Sequence, residues 1–96
     1  MVMVHGTEQE KSDLIARYIE QDPHRPGRYN ARLISSGVAV WAIVGRFETV
    51  NHGDLDAAAA DYDIPHEAVE AALAYYERNR AAIDARLEAL RAHFTA

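Results

Sequence analysis

Asp61-Tyr62-Asp63-Ile64-Pro65-His66-Glu67-Ala68-Val69-Glu70-Ala71-Ala72-Leu73-Ala74-Tyr75-Tyr76 is the stretch on which the fold turns. Tyr62 to Pro65 is a tight break: Asp63 tolerates a left-handed backbone, and Pro65 suits the first position of a new helix, where its missing N–H would have no intrahelical partner. Glu67 in that first turn complements the helix dipole. Beyond Pro65 no glycine or proline interrupts the chain. Val69, Leu73, Tyr76, Ile83, Leu87, Leu90 and Phe94 recur alternately four and three apart, with Arg80 the one polar member of the row. A long C-terminal helix with one apolar seam is expected.

Working upstream, Asp54 is a good N-cap, and Leu55, Ala58, Ala59 and Tyr62 follow at helical spacing, so a helix of about two turns precedes the break. Asn51-His52-Gly53 separates it from Val38 to Phe47. That segment contains strand-favouring Val, Ile and Trp, yet Val40, Ile43, Val44 and Phe47 make one helical face, and a helix ending near Gly45 to Thr49 is expected. Further upstream, Ala31 to Ile34 reads as a short strand stopped by Ser35-Ser36-Gly37. Leu14 to Ile19 fits either period; a short strand is preferred, which would pair with the first as a hairpin. Between them Asp22-Pro23-His24-Arg25-Pro26-Gly27-Arg28 excludes regular structure and forms an exposed basic loop. Residues 1–11 show no periodicity and read as a loose tail.

The expected architecture is mainly α: a trihelical, helix-turn-helix-like core of the winged-helix or homeodomain-like kind, a short N-terminal β-hairpin, and a long C-terminal helix. Its parts are a flexible tail (1–11), a helix-turn-helix-like domain (12–80) and a C-terminal helical extension for partner binding (81–96). With 96 residues there is room for one domain with a modest core, so self-association or a partner is a fair expectation. The chain has no cysteine, no apolar run long enough to cross a membrane, and no secretory pattern at Met1 to Lys11, which points to the cytoplasm.

A net charge of −5 argues against coating nucleic acid by bulk electrostatics. That average conceals a gradient. Lys11 to Arg46 holds six basic residues and three acids, whereas Phe47 to Ala96 holds four arginines and ten acids. Such asymmetry can separate two binding surfaces, or reflect ordinary solvation.

The run quoted above, together with Ser36-Gly37-Val38-Ala39-Val40-Trp41-Ala42-Ile43-Val44-Gly45, resembles the prokaryotic family called domain of unknown function 433, over roughly residues 15 to 90. Members of that family resemble VapB-type antitoxins encoded beside PIN-like ribonuclease toxins. The resemblance implies neutralisation of such a toxin by protein binding, with autorepression through operator DNA as a further role. Relatives tend to carry glycine where this chain has Asp63, and an acid there adds negative charge near any phosphate.

For DNA, the candidates are Arg17, Arg25, Arg28 and Arg32 on the hairpin and its loop, and His66 at the start of the would-be recognition helix, where Glu67 and Glu70 oppose phosphate. A solvated surface is the plain alternative. For a protein partner the candidates are Leu73, Tyr76, Ile83, Leu87, Leu90 and Phe94. The first two can instead pack on the preceding helices, while the last four lie beyond what a three-helix core easily covers. No catalytic, cofactor or metal site is expected: the five histidines are never three or four apart, Asp54/Asp56 and Asp61/Asp63 are two apart on helical turns, and no phosphate loop or nucleophile elbow is present. The leading expectation is a homodimeric or higher-order antitoxin; its rival is a homo-oligomeric interaction module that binds no DNA.

Overall fold

The computed structural model describes residues 6–25 and 27–95, the last three by their backbone alone. In chain order the elements are α1 (Glu8–Tyr18), β1 (Ile19–Glu20), a 3-10 turn (Arg28–Asn30), β2 (Arg32–Leu33), α2 (Val40–Thr49), α3 (Leu55–Tyr62), α4 (His66–Arg78) and α5 (Arg80–Thr95). The fold is mainly helical with one short antiparallel ribbon.

The N-terminal third departs from expectation. Residues 8–18 form a helix where a tail and a strand were expected; residues 1–5 of that tail lie outside the described residues. Thr7 caps the helix, its hydroxyl accepting from the Glu10 N–H at 3.1 Å, and Glu8 and Glu10 place charge at the positive end of the dipole. Distant partners then secure α1 to α4: Lys11 Nζ lies 3.1 Å from Glu77, and Arg78 donates to Ser12 Oγ and the Glu8 carbonyl. Those partners are more than sixty residues away in sequence, so local periodicity carried no trace of them.

Only the end of the expected first strand is extended. Ile19 pairs with Leu33 and Glu20 with Arg32, and the Ile34 N–H donates to the Tyr18 carbonyl at 2.9 Å. Gly37, at φ 75°, lets the chain reverse so that the Leu33 N–H meets the Val38 carbonyl at 2.8 Å. Both inner residues, Ile19 and Leu33, join the core.

Downstream, the local signals operate as their chemistry dictates. Asp54 caps α3 by accepting from the Ala57 N–H at 3.2 Å. Asp63 is left-handed (φ 53°, ψ 51°), which lets its N–H reach the Ala60 carbonyl and the Ile64 N–H reach the Ala59 carbonyl at 3.0 Å. Pro65 caps α4 rather than opening it.

Helix α4 is the axis of the molecule. Ala68, Val69, Ala71, Ala72, Leu73, Ala74, Tyr75 and Tyr76 are buried, too many for one stripe, because α1, α2 and α3 all pack on it. Its alanines allow that close approach. Leu73 and Tyr76, named above as partner contacts, are therefore 2% and 5% exposed within the chain's own core.

The expected long C-terminal helix is two helices. Asn79 leaves the helical basin (φ −129°, ψ 34°), its side-chain amide donates to the Tyr75 carbonyl at 3.0 Å, and its own carbonyl accepts from the Ile83 N–H at 3.1 Å to start α5. At this break α5 folds back over α2 and the 3-10 turn. Ile83 becomes fully buried and Leu87 packs against the core, so neither projects to a partner as expected. A radius of gyration of 12.6 Å agrees with about 12.5 Å for a chain of this length packed as one body. Leu90 is half-buried, and the Phe94 side chain lies outside the described residues.

Candidate binding face

Of the arginines named for DNA, two are already engaged by carboxylates. Arg32 Nε lies 2.8 Å from Glu20 and its guanidinium 3.8 Å from Asp22. Arg17 lies 3.6 Å from Glu67 and lines a cleft of about 320 Å³ with Glu10, Asp13, Leu14, Glu67 and Glu70. Four carboxylates around one arginine repel phosphate. His66 sits between Asp56, 2.8 Å from Nε2, and Glu70, 3.5 Å from Nδ1. Arg25 and Arg28, by contrast, are exposed and have no carboxylate partner among the described residues. The five residues thus divide between an acidic cleft, an ion-paired ribbon and a free basic loop, and the buried faces of α4 leave mainly its first turn open to a groove.

A different cluster lies where the 3-10 turn meets α5. Gly27, at φ 126°, admits the Tyr29 ring; a Cβ there would stand 3.0 Å from Tyr29 Cε1. The Arg86 guanidinium, projecting from α5, lies 6.0 Å from the centre of the Tyr29 ring and 5.6 Å from that of Trp41 on α2. Both distances fall within reach of cation–π attraction. Arg86 Nε is buried and has no hydrogen-bond partner, and no carboxylate reaches the side chain among the described residues. Beside it, Tyr29, Ala82, Ala85, Arg86 and Ala89 line a groove of about 240 Å³.

Tyr and Trp give large contact area at low conformational cost, Arg adds a planar charged fork, and alanines on a helix let another backbone come close. Among the described residues no three histidine, aspartate or glutamate side chains are placed to hold a metal ion, and no helix is long and apolar enough to cross a membrane. Elsewhere the polar groups serve the fold: Asp61 is held below the usual carboxylate range by the Asn51 amide first and Arg46 second, and burial with the Asp84 hydrogen bond pushes the Tyr76 phenol up to about 12.

The apolar row from Val69 to Phe94 did not reveal the groove, because Ala82, Ala85 and Ala89 lie off that row. Their spacing of three and four was legible, as was the single Trp41. What no local pattern contains is the meeting of Tyr29, Trp41 and Arg86, up to 57 positions apart. No protein-family model, curated protein or solved structure matches this chain.

Proposed function

We propose that this chain is a non-enzymatic binding protein of the antitoxin kind, which neutralises a PIN-like ribonuclease by covering it. The observation that carries this is the Tyr29–Arg86–Trp41 stack beside the alanine face of α5: residue types that anchor protein interfaces, held at the surface with a cation unpaired. The family resemblance quoted above supports the same reading, as analogy. In place of Ile83 and Leu87, which the core absorbs, the docking surface is the groove, with Leu90 at its far end of α5.

Operator binding is the lesser part of the proposal. A helix-turn-helix of the winged-helix or homeodomain-like kind would place α4 as the recognition helix, but its burial and its acidic first turn leave phosphate contact to Arg25 and Arg28.

The test is co-expression. Each reading frame beside this one in its genome is induced alone and with the chain. A frame that arrests growth, cleaves RNA, and is relieved by the chain through a purifiable complex is the expected result. If no neighbour is toxic, and light scattering finds the chain alone as a discrete oligomer, the homo-oligomeric module replaces the antitoxin.

A further inference from the structure

Resting on the protein-binding reading above, we infer that the groove between the 3-10 turn and α5 receives an acidic helical segment of a partner protein, one Asp or Glu carboxylate pairing with Arg86. The argument is charge complementarity. Arg17, Arg32, Arg46, Arg78 and Arg91 each lie within 4.0 Å of a carboxylate. Arg86 has none among the described residues; its guanidinium rests on two aromatic faces, and its Nε is shielded from solvent without an acceptor. The two rings attract the cation without supplying an acceptor, so its charge is left for a carboxylate from outside the chain. Arg28, on the turn that packs against α5, and Arg25 on the preceding loop, add positive potential without carboxylates of their own.

The carboxylates of α5 are engaged within the chain. Asp84 accepts from the Tyr76 hydroxyl at 2.6 Å, about two-fifths of a turn or more from Ala82, Arg86 and Ala89, and Glu88, on the groove's Ala85 edge, is engaged by Arg91 at 2.8 Å. The alanines offer a floor on which a helix can lie close, and Tyr29 forms its wall. A second copy of the chain fits this face poorly. A two-fold contact with Arg86 near its axis would bring two guanidiniums together, neither with a carboxylate of its own among the described residues. A heterologous acidic helix removes that repulsion and satisfies the cation.

The experiment pans a displayed library of helical peptides against the full chain, with Arg86→Met as counter-target; methionine keeps an aliphatic stem against Trp41 and deletes the charge. Selected peptides are expected to share an Asp or Glu at one helical position and to shift the emission of Trp41, the single tryptophan. Replacing that acid by its amide weakens binding about tenfold or more, and added salt weakens it further. Peptides without a common acid, equal affinity of folded Arg86→Met, or an empty selection overturn the proposal. So does a thymidine oligonucleotide that moves Trp41 emission through Arg86 where peptides do not, which makes the face a nucleic-acid platform. Should Arg86→Met fail to fold by circular dichroism, the acid and amide peptides on the parent protein decide, and equal affinity overturns the inference. If no neighbouring toxin is neutralised yet acidic peptides dock through Arg86, the antitoxin reading falls and the groove stands; if a toxin is neutralised equally by folded Arg86→Met, the reverse holds.

Discussion

Leu87 over Gly45 is the contact that seats α5 on α2, and a double-mutant cycle on this pair measures it. A Cβ at Gly45 would stand 3.1 Å from Leu87 Cδ2, closer than ordinary van der Waals contact, so the leucine must shift by a few tenths of an ångström. In an isolated helix interior, Gly→Ala contributes about 1 kcal/mol. Forcing the leucine off its rotamer costs about 0.5–1.5 kcal/mol, so Gly45→Ala alone leaves stability near its parent value. Leu87→Ala alone costs about 1–2 kcal/mol, below the range for a fully buried leucine because Leu87 is half-buried. With the leucine gone, Gly45→Ala recovers its full helical gain of about 1 kcal/mol. The cycle therefore closes with a coupling of about 0.5–1.5 kcal/mol. Urea unfolding, followed by Trp41 fluorescence and far-ultraviolet circular dichroism at constant m, supplies the four stabilities. Additivity within about 0.3 kcal/mol would mean that Leu87 does not press on Gly45, which would refute the contact by which α5 is seated on α2.

Four further outcomes are expected. Ile83→Ala removes a fully buried side chain and should cost about 2–5 kcal/mol, a large share of a small domain's stability; a loss under about 0.5 kcal/mol would mean a free extension, as the sequence suggested. The Tyr76 phenol is pushed up to about 12 by burial and the Asp84 hydrogen bond, so its contribution is complete below the ordinary value of 10.0 and is lost as pH rises through the folded value. Stability should fall by about 2–3 kcal/mol across that window, and a Tyr76→Phe protein that shows the same alkaline loss disproves the assignment. Asp61 works in the opposite direction: the Asn51 amide and Arg46 hold it low, so its contribution is present above the ordinary carboxylate value and is lost as pH falls through the folded one. Asn51→Ala should flatten that acid limb in a pH series of urea midpoints. Finally, if operator DNA is bound, Arg25→Ala with Arg28→Ala should lower the log–log salt slope by about two, while Arg32→Ala, whose charge Glu20 and Asp22 engage, should leave it nearly unchanged; the opposite ranking in a fluorescence-anisotropy titration would shift any DNA contact to the ribbon.

The sequence by itself determined the elements whose causes are local. Asp54 as a cap, Asp63 as a left-handed stop, the turn at Ser35-Ser36-Gly37 and the helical phase of Val40 to Phe47 each depend on residues within one or two turns, and each is found in the structure. Tertiary structure decided the rest, for reasons of distance along the chain. Residues 14 to 19 allowed two periods, and Lys11 with Glu77 and Arg78 with Glu8 favour the helix from across the molecule. The seam from Val69 to Phe94 was legible, but not its partner: Asn79 breaks the helix with an amide hydrogen bond, and Ile83 and Leu87 turn inward because burying them against α2 removes apolar surface from water at no cost in association entropy. Once they are spent on the core, the surface that remains is set by Tyr29, Trp41 and Arg86, three residues from three segments that only folding brings to one place.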